Sequence, residues 1–168
     1  MDFGKALAAS MGMDDATWAR HANPWSGWTR MTALPLLALA IWSRVWFGWW
    51  ALLLIAFVIL WVVLNPRLFP KPKSTDNWMS RGVLGERVWL NRKAIAIPAH
   101  HRVWANILSL GTAIGLLPFA WGLWQYEIWP VWVGLVILVG GKLWFMDRMA
   151  WLFADMKDEH ADYRALLY

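Results

Sequence analysis

Long uncharged, apolar stretches alternate with charged segments along the chain, and this pattern predicts membrane-spanning helices. Residues 45–66 contain no charge over 22 positions, and residues 103–126 contain none over 24. A helix needs about 20 apolar residues to cross about 30 Å of hydrocarbon, so each stretch is long enough for one span. Glycine and proline inside the second stretch are tolerated where neighbouring helices cover the freed backbone groups.

Two shorter apolar runs, residues 31–43 and 128–141, predict two further spans. Each run is shorter than a typical span, but Arg44 closes the first and Lys142 closes the second. Long cationic side chains near a helix end can reach the membrane surface, so both helices can extend beyond the uncharged run. We therefore predict four spans, at residues 29–46, 48–64, 103–123 and 128–146.

The predicted fold is an all-α integral membrane bundle of four transmembrane helices in two hairpins, forming a single domain. Residues 1–28 form a cytoplasmic or interfacial segment, 29–64 the first hairpin, 65–102 an amphipathic loop, 103–146 the second hairpin and 147–168 a tail. The two short turns hold only Arg44 of the 16 Lys and Arg residues. Because positive residues favour the cytoplasmic side, both termini are expected there. The opening residues MDFGKALAASMG lack the apolar stretch of a secretory signal.

A displacement of 83 residues aligns parts of the two hairpins. It brings Leu34-Pro35 onto Leu117-Pro118, and it brings Trp46 onto Trp129. Both hairpins would start and end on the same side, so the pattern predicts a parallel duplication rather than an inverted repeat.

Composition excludes an ordinary soluble enzyme and favours contact with lipid. Apolar residues make up 60% of the chain, charged residues 16%, and 17 residues are Trp. Tryptophans near both predicted turns are typical of interfacial anchoring. The net charge of +5 suits anionic lipid headgroups better than nucleic acid, and the absence of cysteine excludes disulfides and thiolate chemistry.

Two polar segments predict surface helices. Residues 13–25 indicate a short helix capped by Asp14 and ended by Asn23-Pro24, lying along the membrane. Residues 74–93 have the spacing of a basic amphipathic helix, interrupted at Gly82 or Gly85, that lies in the interface. Glu86 is a candidate partner for a nearby Lys or Arg.

Candidate chemistry is confined to the polar side of the predicted bundle. Histidines and one acid are weak candidates for a metal or acid–base site, because adjacent histidines on a helix point about 100° apart. Asp147 is expected to form a structural ion pair with Arg30 or Arg67. No zinc-protease, nucleotide-loop or nucleophile-elbow motif is present, and no cofactor can be assigned. The metal candidates are His21, His100, His101 and Asp147, and the candidates for anion or lipid-headgroup binding are Arg30, Arg67, Arg87, Arg92 and Arg102.

The blocks RHANPWSGWTR, NPRLFP, GERVWLNRKAIAIPAHHR and GKLWFMDRM together resemble a family of small bacterial multi-pass membrane proteins, a domain of unknown function. The resemblance covers residues 18–156. It implies a membrane location and one domain over the whole chain, and we expect this membrane to be the bacterial inner membrane. It implies no activity, cofactor or catalytic residue.

These features favour a non-enzymatic protein, an accessory subunit or a lipid-contacting scaffold. Its expected partners are anionic lipids and other membrane subunits or further copies of itself. The alternative is a small membrane enzyme or binding protein for a lipid-like or anionic ligand, in which the arginines bind the anion and His21, His100, His101 or Asp147 handle protons or a metal. A transporter or channel is less favoured, because few charges lie inside the spans.

Overall fold

The computed structural model describes residues 13–168, and the regular structure in this part of the chain is entirely helical. The opening segment, predicted not to be a secretory signal, lies outside the described residues. A 3-10 turn, Gly48–Trp50, precedes the helix that begins at Ala51. The helices are α1 (Asp15–His21), α2 (Pro24–Met31), α3 (Ala33–Trp42), α4 (Arg44–Phe47), α5 (Ala51–Leu68), α6 (Trp78–Leu90), α7 (Ala99–Ile114), α8 (Leu116–Gln125), α9 (Ile128–Glu159) and α10 (Ala161–Arg164).

The short helix α1 forms as predicted, and side chains cap its start and the start of the helix that follows it. The Asp14 carboxylate accepts a hydrogen bond from the Thr17 amide at 2.8 Å, which caps its start. Asn23 accepts from the Trp25 amide at 3.0 Å and begins α2, with Pro24 in the first position of the new helix.

Three helical segments of the described chain are long and apolar enough to cross a membrane: Pro24–Leu68, Ala99–Gln125 and Ile128–Glu159. By length and composition the count is therefore three rather than the predicted four. The reason is that the first predicted hairpin forms a nearly continuous helical run of 45 residues. That run folds back on itself, since α3 and α5 pack against each other. The reversal lies at Gly48, whose φ of 52° is accessible to glycine at little cost.

The outer surface of these segments is apolar. Between 11% and 22% of the residues in their most apolar stretches are buried inside the protein. Large side chains such as Leu53, Phe57 and Val136 point outward and are more than half exposed. A surface of this kind suits a hydrocarbon environment rather than water.

Arg44 joins the two hairpin turns. Its Nε atom donates to the Tyr126 hydroxyl at 2.6 Å, and its Nη2 atom donates to the carbonyl oxygens of Leu123 and Trp124. The guanidinium carbon also lies 4.3 Å from the centre of the Tyr126 ring. The two turns therefore meet at one end of the bundle, and the single cation predicted between the spans is used to hold them together.

Helix α6 was predicted to lie in the membrane interface, but in the structure it lies in the protein core. Its buried residues Met79, Val83 and Val88 belong to one cluster with Leu152 and Phe153 of α9. The predicted interruption at the α6 glycines is wrong, since the helix is continuous. These glycines instead permit close approach to α9: a Cβ atom added at Gly85 would lie 1.8 Å from the Met149 carbonyl oxygen.

The carboxyl-terminal tail, residues 147–168, also contributes to the core. Helix α9 continues to Glu159, and the side chains of Phe153 and Met156 are fully buried. The apolar positions of the tail pack against α6, and this places both segments in the same core.

The helices of the two hairpins begin or end at positions 83 residues apart, the same displacement that aligns the hairpin sequences. Helix α3 covers residues 33–42, and α8 covers residues 116–125, which lie 83 positions later. Helices α2 and α7 end at Met31 and Ile114, again 83 positions apart. This coincidence supports the predicted duplication of the two hairpins.

Replacing Gly85 with alanine is expected to lower the melting temperature of the detergent-purified protein by roughly 5 to 10 °C. The reason is that the new methyl group meets backbone atoms of α9, which no side-chain rotation can move. Gly140→Ala is the matched control, since nothing lies within 4 Å of the added Cβ there. Thermal unfolding followed by circular dichroism measures both, and equal melting temperatures for the two variants would contradict the packing described here.

Candidate functional site

A partly open cavity of about 810 Å³ lies between the helices of the bundle. Its volume falls in the range of small-molecule binding sites, roughly 300 to 1,000 Å³. Most of its wall is apolar, and four ionisable side chains also line it. The apolar residues include Leu34, Leu37, Val58, Val62, Val83, Phe145 and Met146, and the ionisable residues are His21, Arg30, Glu86 and Lys142.

Glu86 and Lys142 form an ion pair across the cavity wall. The Lys142 ammonium donates to the Glu86 carboxylate, which links α9 to α6. Lys142 was expected to reach the membrane surface at the end of a span, but it turns inward to this acid. Burial raises the pKa of Glu86, but attraction to Lys142, helped by its hydrogen bond, outweighs burial and lowers the pKa overall. Glu86 is therefore a carboxylate at neutral pH.

Arg30 lies next to His21 in the same wall. The Arg30 Nη1 atom is 3.2 Å from His21 Nε2, and His21 Nδ1 is 3.0 Å from the Ser26 hydroxyl. Arginine can only donate, so Nε2 must accept and the imidazole proton must sit on Nδ1. His21 thus donates to Ser26 and holds the guanidinium in place through its other nitrogen.

The hydrogen bonds continue from Ser26 in one direction. Its hydroxyl donates to Asn65 Oδ1 at 2.8 Å, and Asn65 Nδ2 donates to the Thr29 hydroxyl at 3.0 Å. The Thr29 hydroxyl donates in turn to the Trp25 carbonyl oxygen at 2.6 Å. Ser26 and Asn65 are fully buried, so this chain of bonds satisfies polar groups that have no access to water. Because Ser26 also bonds to His21, this chain of bonds holds the imidazole that contacts Arg30.

Burial and the nearby positive charge of Arg30 together lower the pKa of His21 to about 4. The imidazole is therefore neutral at pH 7. The remaining ionisable groups of the wall are two cations, Arg30 and Lys142, and one anion, Glu86. Among the described residues, the wall thus carries one positive charge in excess, which a single anionic group of a ligand would balance.

The arginines predicted to bind anions separate in the structure. Arg30 lines the cavity, whereas Arg87 pairs with Asp15 and the Arg92 guanidinium stacks 4.0 Å from the Trp89 ring centre. The other two are distributed along the bundle: Arg67 donates to the Val63 carbonyl at 3.2 Å, and Arg102 is exposed at the start of α7.

The predicted histidine and aspartate candidates also separate. His21 lies at the cavity, whereas His101 Nε2 lies 2.7 Å from Asp155 Oδ2 and the neighbouring His100 Nε2 lies 4.0 Å from the same oxygen. Asp147 accepts a hydrogen bond from Trp78 Nε1 at 3.0 Å and is 3.7 Å from Arg148 of its own helix. The structure thus pairs the adjacent histidines with an acid that was not among the candidates.

Three polar residues of the structure were missed from the sequence: Ser26, Asn65 and Asp155. The first two lie in the blocks RHANPWSGWTR and NPRLFP. A single amide at the end of an otherwise apolar run, as at Asn65, is the signal that points to a buried polar partner.

Comparison with known proteins identifies a family. A family of unknown function, DUF6653, matches residues 3–165 of the chain. No curated protein and no solved structure matches the chain significantly. The resemblance to a domain of unknown function that extends along most of the chain is thereby confirmed.

The neutral, buried His21 predicts a specific dependence of stability on pH. The unfolded chain binds a proton at this residue below about pH 6.5, and the folded protein binds it only below about pH 4. The unfolded state holds more protons between these values, so the free energy of unfolding decreases as the pH falls through this window. The loss from this residue approaches about 3 kcal/mol at pH 4, since one pKa unit corresponds to about 1.4 kcal/mol.

The His21→Asn variant keeps a donor toward Ser26 but cannot be protonated, so its stability should change less between pH 6.5 and pH 4 than that of the wild type. Denaturant unfolding in detergent at several pH values measures the difference. Parallel pH profiles for the two proteins would show that His21 is not buried in its neutral form.

Proposed function

The chain belongs to DUF6653, a family of unknown function, and we propose that it is an integral membrane protein that binds one amphipathic, anionic ligand. The ligand places its acyl-like part in the apolar cavity and its anionic group between Arg30 and Lys142. The observation that carries this proposal is the single excess positive charge that the described residues contribute to the wall of an otherwise apolar cavity.

The cavity reaches the apolar exterior, which favours a ligand that comes from the bilayer. Ile59 and Val63 of α5 line the cavity, and they are also 55% and 40% exposed on the outer surface. A lipid-like molecule could pass between these side chains without leaving hydrocarbon. A fully water-soluble anion would have to cross the same apolar surface at a large desolvation cost.

We propose a topology with four crossings, in which α3 and α5 each cross the membrane and both hairpin turns lie on the outer side. This places the amino-terminal helices, α6 and the carboxyl-terminal part of α9 on the cytoplasmic side of a bacterial inner membrane. About 18 residues separate Arg30 from Gly48, which corresponds to roughly 27 Å of helix. Arg30 therefore lies at the level of the cytoplasmic headgroups, where an anionic group of a lipid is expected.

A role as an accessory subunit is a second candidate and is compatible with ligand binding. Two exposed glycines, Gly111 on α7 and Gly140 on α9, have nothing within 4 Å of an added Cβ. Small residues on the outer face of membrane helices allow a neighbouring helix to approach closely. A further membrane subunit or a second copy of the chain could pack there.

Lipid extraction and mass spectrometry of the protein purified in mild detergent test the proposed ligand. The wild type should retain about one equivalent of an anionic amphiphile. Arg30→Gln should weaken binding of added oleate at least tenfold, because it removes a charged hydrogen-bond donor worth about 1.5 to 3 kcal/mol. Val62→Trp should block binding by filling the cavity.

Arg81→Gln is the matched control, because Arg81 pairs with Asp76 at the surface. This variant should bind like the wild type. Retention of the same ligand by Arg30→Gln and Val62→Trp, or a wild-type protein that carries only bulk membrane lipids, would contradict the proposal.

A further inference from the structure

A second cluster of polar side chains lies where the first turn of α7 meets the last part of α9. His101 Nε2 is 2.7 Å from Asp155 Oδ2, and His100 Nε2 is 4.0 Å from the same oxygen. One donor atom from each of the three residues lies within 4.8 Å of the other two. We propose that these residues form a binding site for a divalent transition-metal ion, with Zn²⁺ as the best match.

The position of the two histidines in the helix explains how adjacent residues reach one centre. Pro98 precedes the helix with an extended backbone, and the histidines occupy its first turn. The His101 side chain is 2% exposed and points inward, whereas that of His100 is 64% exposed. Their ring centres are nevertheless only 4.2 Å apart, and the half-exposed Asp155 carboxylate faces both. The expected divergence of adjacent histidines therefore does not prevent a shared partner.

The three ligands match the chemistry of zinc. Imidazole nitrogens and a carboxylate oxygen bind Zn²⁺ at about 2.0 to 2.2 Å, which places neighbouring ligand atoms of a tetrahedral site about 3.4 Å apart. The distances from the Asp155 oxygen to His101 Nε2, 2.7 Å, and to His100 Nε2, 4.0 Å, lie below and above this value. Small rotations of the exposed His100 and Asp155 side chains would equalise them, while the buried His101 stays in place. Two imidazoles disfavour Mg²⁺ and Ca²⁺, which prefer oxygen ligands.

A structural hydrogen bond alone accounts for only part of the cluster. A bond from His101 to Asp155 is sufficient to hold α7 against α9, and it needs no second imidazole. His100 adds a ligand atom on the solvent side and leaves a further coordination position open to water or to another molecule. About 13 residues separate Asp155 from Lys142, or roughly 20 Å along α9, so the site is separate from the cavity.

Zinc titration of the full-length, EDTA-treated protein in detergent, with any affinity tag removed, tests this site. Isothermal titration calorimetry should give one equivalent of Zn²⁺ with a dissociation constant in the micromolar range or below. His100→Ala and Asp155→Asn should each weaken binding at least tenfold. Both replaced side chains are exposed, so the melting temperatures without metal should remain within a few degrees of the wild type.

Co²⁺ provides a readout that a purely structural role would not affect. The wild type loaded with Co²⁺ should show the intense visible absorption of a tetrahedral site, and His100→Ala should lose it. His160→Ala, which removes another histidine near the end of α9, should behave like the wild type in both experiments. Absence of zinc binding by the wild type, or equal stoichiometry and affinity in His100→Ala and Asp155→Asn, would overturn the proposal.

Discussion

The arrangement of the bundle depends on the pairing of Lys142 with Glu86. Lys142 projects from a long apolar helix, where an ammonium group without an acid would be costly. The acid comes from α6, so this helix has to lie against α9 rather than on the membrane surface. With the pair in place, Glu86 of α6 lines the cavity beside Lys142. Among the described residues of the wall, Arg30 remains as the cation without an acid of its own.

Glycines and a chain of hydrogen bonds allow this arrangement to form. Gly85 brings the backbone of α6 into contact with Met149 of α9, and this contact positions Glu86 beside Lys142. On the opposite wall, the bonds from His21 through Ser26 to Asn65 connect α1, α2 and α5. These bonds hold α1 and α2 against the end of α5, and Arg44 joins the two hairpin turns at the other end of the bundle.

The apolar segments, the turns and the short helix α1 could be predicted from the sequence, because hydrophobicity, charge and capping act over a few neighbouring residues. The position of α6 could not be predicted in this way. Its amphipathic spacing fits a lipid surface as well as a protein core, and only the contact of Gly85 with another helix decides between them. The histidine pair is a candidate from the sequence, but its partner Asp155 lies 54 positions away from His101 in the carboxyl-terminal tail. Such pairings depend on how the helices pack.

Photocrosslinking tests the central claim, a lipid-like ligand inside the bundle, most directly. A fatty acid with a diazirine group in its chain would be added to the protein in native membranes, irradiated and located by peptide mass spectrometry. Crosslinks at the cavity residues Val62 and Val83, competed by unlabelled fatty acid, are the result expected here. Crosslinks confined to outward-facing residues such as Leu53 and Phe57, without competition, would show that lipid contacts only the outer surface and would contradict the account.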